Sequence, residues 1–329
     1  MSNLKSINRV QVVGTLKEMN LEKITKEVSL GEKKVTCQQF AKKEFKNPMF
    51  IVEVNGNDIG IDFFPIAEKK LDENGKIVDN PRFKAMETVL NTYVPKSKDS
   101  ENATRVKIDG SLRANEYVDK NTFEYKSYPS LNGFQITSTS VPEEDIADCE
   151  ISGVIKNIYK EVRGDNEEET GRLKVDFLYV ENYGNGAIYP VTFIVESDLA
   201  DDFENFYEAG QSVKLYYEVL VKQIGQKKAT NGGFGRRESH IVSGFSVTEY
   251  SVFRGDEPFE EENDYYISID DVKNLLEERD VMIENKVKEA KTGASGTVAS
   301  TTVKKTPFGS ATTEEKPKAK ATEKKNPFI

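Results

Sequence analysis

Hydrophobic and polar positions alternate over short runs in this chain, and glycines punctuate the runs. The first run, NRVQVVGTLKEM (8–19), is rich in valine and broken at Gly14. A glycine inside a strand marks a bulge or a sharp bend, as at a barrel corner. Near residue 149 the chain reads CEISGVIKNIYKEV, and setting Gly153 on Gly14 puts Ile155 on Leu16 and Lys156 on Lys17. The first half continues with MFIVEVNGNDIGIDFFPI (49–66), two β segments around a turn at Asn55-Gly56-Asn57. PRFKAMETVLNTYV (81–94) opens on proline and spaces Phe83, Met86, Leu90 and Tyr93/Val94 as a helix does. TRVKIDGSLRANEY (104–117) and NGFQITSTSV (132–141) close the half as strands. The second half offers GRLKVDFLYVENY (171–183) and AIYPVTFIVES (187–197) as strands. A short helix follows in LADDFENFYEAG (199–210), with Gly210 at its C-terminal stop. Two more strands, QSVKLYYEVLVKQI (211–224) and SHIVSGFSVTEYSVF (239–253), complete it.

Each half therefore predicts three strands, a helix and two strands. That is the element order of an OB-fold, a five-stranded Greek-key barrel with a helix between strands 3 and 4. The fold class expected is mainly β, with two tandem OB-fold barrels, although another small β barrel or sandwich has room for the same order. The expected domains are 1–142 and 143–255 for the barrels, 256–290 for an acidic hinge and helix, and 291–329 for a disordered basic tail. In the helix, Ser268 and Asp271 resemble a capping box. Ile269, Val272, Leu275, Leu276, Met282 and Ile283 form an apolar stripe, expected to pack on the second barrel. Beyond Lys291 the few apolar residues cannot offset the entropy of ordering the chain.

Charge refines this picture. The net charge is −10, which argues against a polyanionic partner until its distribution is read. Residues 1–140 hold 22 Lys/Arg against 19 Asp/Glu, residues 141–250 hold 11 against 21, and residues 251–290 hold 5 against 13. The tail, 291–329, holds 8 against 3. Local basic patches rather than the total decide whether a polyanion docks. Cys37 and Cys149 form no CxxC pair, and the single histidine, His240, disfavours His-based metal sites and acid–base chemistry. No run is long and apolar enough for a membrane span, and MSNLKSINRV lacks the apolar core of a signal peptide. A reducing cytoplasm is expected, with no cofactor and no metal.

No phosphate-binding glycine loop, HExxH or paired CxxC occurs. The acidic run SDLADDFENFYEAG reads as a solvated helix face, and DNEEETG (165–171) as an exposed hairpin loop. What the chain does carry is aromatic rings interleaved with cations, in the loops where OB barrels bind single strands. Between strands 1 and 2 of the first barrel stand Lys42, Lys43, Phe45 and Lys46, close to Phe50. Its strand 4–5 loop, RANEYVDKNTFEYKSYPSLNG, holds Arg113, Tyr117, Lys120, Phe123, Tyr125, Lys126 and Tyr128. The matching loop of the second barrel, KQIGQKKATNGGFGRRESH, holds Lys222, Lys227, Lys228, Phe234, Arg236 and Arg237. The bland alternative is that such rings pack back on their barrels and such lysines are ordinary surface.

INRVQVVGTLKE resembles the opening strand of bacterial single-stranded DNA-binding proteins, a valine-rich strand after Asn-Arg and before Gly-x-Leu. Proteins of that family end in a disordered tail closing on Pro-Phe, which docks on replication and repair proteins. Here Pro327 and Phe328 match that Pro-Phe, with Ile329 after it, and Pro307 and Phe308 repeat it. Each copy follows Lys-Lys-x, so the hook is basic where the family's tip is acidic, and two barrels stand in one chain where the family usually has one. The resemblance implies a non-enzymatic protein of phage or bacterial type. It would bind single-stranded DNA in replication, recombination and repair, and would recruit partners through its tail. The competing readings are a virion structural or assembly protein built on tandem β barrels, and an accessory domain of a nuclease or ligase.

Overall fold

The computed structural model describes residues 4–139, 144–163, 168–181, 186–229 and 239–295, with the backbone alone for 163, 223–229, 239–245 and 293–295. β1 (Asn8–Met19) leads the first half, and β2 (Leu21–Leu30) and β3 (Lys33–Lys42) follow as an inserted hairpin. β4 (Phe50–Val54) and β5 (Asn57–Asp62) pair across the predicted turn. There Asn55 at φ 47° and Gly56 at φ 78° take the left-handed conformations that a type I′ turn demands. β6 (Ile66–Ala67) adds to the β2–β3 hairpin, and β7 (Lys69–Leu71) pairs with β8 (Ile77–Asp79). α1 (Pro81–Thr92) starts on a proline that needs no N–H partner there, and the Asn80 side chain accepts from Arg82 N at 3.1 Å. It buries Phe83, Met86 and Val89, each stabilising by about 1.5–3 kcal/mol relative to exposure. β9 (Arg105–Val118) and β10 (Tyr125–Ser138) complete the half.

The strand order is β1-β4-β5-β10-β9, with β9 returning to β1 and β5 parallel to β10. That is a closed OB barrel. The second half repeats it. β11 (Ile146–Arg163), β12 (Glu168–Val180), β13 (Ile188–Val195), α2 (Ala200–Phe206), β14 (Ser212–Ala229) and β15 (Ser239–Gly255) close in the order β11-β12-β13-β15-β14. β13 and β15 are again the parallel pair.

Gly14 and Gly153 occupy equivalent places. Gly14 faces Val106 of β9, Gly153 faces Val213 of β14, and the residue after each opens the pairing with the barrel's second strand. A Cβ at Gly14 would lie 2.3 Å from the Glu53 carbonyl oxygen, and one at Gly153 would lie 2.1 Å from that of Leu178. Three residues on, each strand bulges, at Lys17 and at Lys156. The glycine lets strand 1 cross closely over strand 2, and the bulge supplies the bend that closes the barrel. Ahead of each glycine, β1 and β11 pair antiparallel with each other, from Asn8↔Ile151 to Val13↔Ile146. Each strand thus covers the edge that its partner leaves open before its own barrel closes. Cys37 and Cys149 are free and buried, and burial pushes the Cys149 thiol up to about 12.

Three sequence expectations shift. The segments expected as strand 4–5 loops are largely strand, since β9 runs to Val118, β10 begins at Tyr125, and β14 pairs with β15 as far as Ala229↔Ser239. Helix α2 stops at Phe206, short of Gly210. Tyr207 is buried against Phe203 and its hydroxyl donates to Asp256 O at 2.8 Å, which pulls the chain into extended backbone. The helix after the barrels, α3 (Ile269–Ser295), begins just after Ser268, with Ile269 itself exposed.

By compactness, Met1–Asn115 with Ser127–Ser268 form one unit, and Glu116–Lys126 with the chain from Ile269 form another. In the second unit α3 carries Arg279 within its apolar stripe. The Arg279 guanidinium pairs with Glu116 and donates to the Tyr125 hydroxyl at 3.3 Å. Lys286 adds a longer pair to Glu116 at 3.5 Å. Within this unit α3 is tied to the hairpin tip between β9 and β10.

Candidate nucleic-acid interface

The loop from Lys43 to Met49 leads into β4, and Asn20 braces it. Asn20 Nδ2 donates to the carbonyls of Glu44 at 2.8 Å and Asn47 at 3.3 Å, and its Oδ1 accepts from Glu44 N at 2.9 Å. Asn20 N also donates to Met49 O at 2.9 Å, and Asn47 Nδ2 to the Glu44 carboxylate at 2.6 Å. On this braced loop the Phe45 ring stands 91% exposed. A ring left in water forgoes the roughly 1.5–3 kcal/mol that burial would give, so the fold does not account for it.

Phe45 stands at a cleft of about 440 Å³ that also receives Lys42, Lys46 and Tyr128 from the first barrel. Val219, Val221 and Tyr250 of the second barrel form the facing wall, and the Tyr250 hydroxyl donates to Pro129 O at 3.3 Å across it. Pro48 packs over Gly60, where a Cβ would come within 2.9 Å of the proline ring. Lys42 Nζ lies 2.9 Å from the Asp62 carboxylate, which also accepts from Met49 N at 3.0 Å, and it sits 5.8 Å from the Phe45 ring centre. Lys43 and Lys46 are exposed, and neither makes an ion pair among the described residues. Tyr128 is 49% exposed. The cleft thus offers two accessible rings, the unpaired ammonium group of Lys46, with that of Lys43 nearby on the same loop, and an apolar wall. Such a surface can stack bases and neutralise phosphates; no nucleophile–base pair appears in it.

Other predicted residues are engaged elsewhere. Arg113 pairs with Glu181 and lies 4.5 Å over the Phe64 ring. Lys222 lies 2.8 Å from Glu249 and 3.1 Å from Glu196, in a network completed by Arg172 with Glu249, Glu161 and Glu196. Burial pushes the Glu249 carboxyl up, but the bonds from Lys222 and Arg172 outweigh it and hold the group below its ordinary range. Lys222 and the buried Arg172 are thus neutralised by the second barrel's own carboxylates.

Five predicted residues belong to the hairpin tip of the other unit. Tyr117 and Lys120 are exposed, Phe123 is half-buried at φ 55°, and Lys126 reaches Asp119 at 3.2 Å. Backbone N–H groups of Asn121 and Thr122, with Lys126, hold the Asp119 carboxyl down at about 2. Tyr125 is half-buried beside Glu116 and Arg279, and burial drives its hydroxyl well above the ordinary range. Lys227 and Lys228 lie on β14, but their side chains are outside the described residues. Phe234, Arg236, Arg237, Pro307, Phe308, Pro327, Phe328 and Ile329 also lie outside the described residues. Sequence reasoning missed Asn20 and the second-barrel wall; only an asparagine placed between two strand patterns hints at the brace.

Among the described residues, no group of three or more His, Cys, Asp or Glu is placed to hold a metal, and no helix is long and apolar enough to cross a membrane. No curated protein matches the chain. Among solved structures, wild-type single-stranded DNA-binding protein from Thermus aquaticus is 8% identical, with a TM-score of 0.43, covering 79% of this chain and 96% of that one. A deletion mutant of the same protein is 11% identical, with a TM-score of 0.42, covering 79% of this chain and 98% of that one. The family model that matches is that of YorF, and it runs over residues 6–289, through both barrels and most of α3. The chain belongs to the YorF family.

Proposed function

We propose that this protein binds single-stranded DNA, without catalysing a reaction on it, in the cleft at the first barrel. Phe45 and Tyr128 stack bases, and Lys42, Lys43 and Lys46 follow the phosphates. One observation carries the reading: a braced loop holds a 91% exposed Phe45 beside lysines at the mouth of a cleft. Binding is largely independent of sequence, because every base has a face to stack. Tyr117, Lys120 and Phe123 of the hairpin tip, and separately Lys227, Lys228, Phe234, Arg236 and Arg237, are further DNA contacts in this reading. The role is protection of single strands in phage or bacterial replication, recombination and repair, in the host cytoplasm. The two Pro-Phe hooks recruit partner proteins. The test is fluorescence anisotropy of labelled oligo-dT at several salt concentrations, against a duplex control. The two unneutralised lysines of the loop, Lys43 and Lys46, give a log–log salt slope of about −1.4 for a single strand, and each further phosphate contact steepens it by about 0.7. Equal affinity for duplex, or no binding at low salt, refutes the proposal.

A further inference from the structure

A second concavity, of about 470 Å³, lies on the second barrel between α2 and the end of β15. Its floor is Leu199 and Phe203, and two large rings flank it in solvent, Phe206 at 54% and Phe253 at 44% exposure. Neither ring belongs to the buried core, though Phe206 stands edge-on to the buried Tyr207 ring at 4.9 Å. Asp202 stands on the rim, and the segment 198–208 that builds this side carries five carboxylates and no lysine or arginine, while Glu196 just before it is paired with Lys222 and Arg172. The one cation on the lining, Arg254, is stacked 3.7 Å over the Tyr216 ring. The surface is therefore an apolar slot with two aromatic walls and an acidic rim.

The sequence contains a segment of the opposite character, twice. Lys304-Lys305-Thr306-Pro307-Phe308 and Lys324-Lys325-Asn326-Pro327-Phe328 each put a proline and a ring behind two ammonium groups. Both lie in the 34 residues from 296 onward, outside the described structure. As a random coil, a chain of that length would have a root-mean-square span of about 30 Å, and the 13 residues up to Phe308 about 20 Å; extended, they would reach about 110 Å and about 43 Å. Tethering at such lengths gives effective concentrations on the order of millimolar, so a weak hook can stay docked.

We infer that the slot between α2 and β15 is the docking site for the chain's own Lys-Lys-x-Pro-Phe hooks. The phenylalanine enters between Phe206 and Phe253, the proline packs on the floor, and the lysines meet the acidic rim. This goes beyond the DNA-binding reading and does not depend on it. A hook docked here is withheld from other proteins, so partner recruitment has to compete with the slot.

The test uses the full chain with both hooks erased by Pro307→Ala, Phe308→Ala, Pro327→Ala and Phe328→Ala. A dye-labelled peptide of residues 321–329 is titrated against it by anisotropy. Saturable binding is expected, weakened at least five-fold by Phe206→Ala with Phe253→Ala, and also by Asp202→Lys. Asp202 is exposed, so its reversal tests the rim without touching the core. Thermal melts check that each variant is folded. Raising the salt must weaken binding, and the unaltered full chain must bind added peptide at least three-fold more weakly, because its own hooks occupy the slot. No saturable binding overturns the proposal, as does binding indifferent to Phe206, Phe253 and Asp202. Equal affinity for the chain with and without hooks also overturns it. So does self-association that needs Phe206 and proceeds without the hooks, which would make a second copy the occupant.

Discussion

Replacing Phe45 by alanine separates stability from binding more cleanly than any other change in the cleft. The ring is 91% exposed, so about a tenth of a full burial, on the order of 0.3 kcal/mol, is all the fold forfeits. Stacking of one base on such a ring is worth about 1–3 kcal/mol, which raises Kd by roughly 5- to 150-fold. The Asn20 brace supplies the second half of the experiment. Asn20→Ala removes three side-chain hydrogen bonds from the loop and lets the Phe45 backbone move, and re-ordering one residue on binding costs about 1–2 kcal/mol. If Asn20 acts by presenting Phe45, then Asn20→Ala weakens oligo-dT binding in the parent and has no further effect in Phe45→Ala. The double-mutant cycle is read by anisotropy, with urea melts run in parallel. Unchanged affinity in Phe45→Ala refutes the stacking role. Strict additivity of the two changes refutes the claim that Asn20 works through Phe45.

Gly14→Ala and Gly153→Ala each drive a methyl into a carbonyl oxygen of strand 2 and should destabilise by about 1–3 kcal/mol apiece, measured by urea unfolding. An indifferent Gly153→Ala would deny that the two barrels close in the same way. Arg279→Ala leaves Glu116, whose side chain is 6% exposed, without its principal cation and should cost about 3–5 kcal/mol locally. Faster amide exchange in both α3 and residues 116–126 is the expected signature, and loosening of only one of them counts against the clamp. The Asp119 carboxyl is depressed to about 2, so its contribution to the hairpin tip is complete above the ordinary carboxylate value of 3.8. It is lost as pH falls through about 2. An NMR titration of Asp119 should show that midpoint, and Asp119→Asn should remove that one step from the tip's response to acid.

Most of the barrel frame was legible because it rests on local signals. Gly14 and Gly153 mark the crossover, Asn55-Gly56 makes the tight turn, and the spacing of Phe83 and Met86 gives α1. The β2–β3 hairpin was not legible, since β2 is largely exposed along its length and shows little of the alternation that a half-buried strand requires. Strand 4–5 hairpins read as loops for a similar reason: their rings and charges do not alternate with the pleat. The docking of α3 turns on Arg279 and Glu116, 163 residues apart, which no periodicity relates. In the cleft, the residue types near Phe45 and Tyr128 gave the chemistry. Their convergence needed the barrel order, and the wall of Val219, Val221 and Tyr250 needed the second barrel.

The two barrels share a frame and differ in what stands on it. At the first bulge Lys17 reaches Asp58 of β5 at 2.6 Å. At the second, Lys156 has no carboxylate in the equivalent place, since the register that aligns Glu53 with Asp58 aligns Leu178 with Pro190. The second barrel spends Arg172 and Lys222 on Glu161, Glu196 and Glu249. The first barrel neutralises Lys17, Lys42 and Lys96 one for one, then leaves Lys43 and Lys46 over beside an exposed ring. A polyanion gains from charges that the protein has not already satisfied, so the attraction within the cleft is concentrated on the first barrel. The second barrel's share of the cleft is an apolar wall that excludes water on one side. In the proposed reading, a base stacked against that wall would lose competing solvent while its phosphate met the lysines of the first barrel, which is how an acidic chain would hold a polyanion.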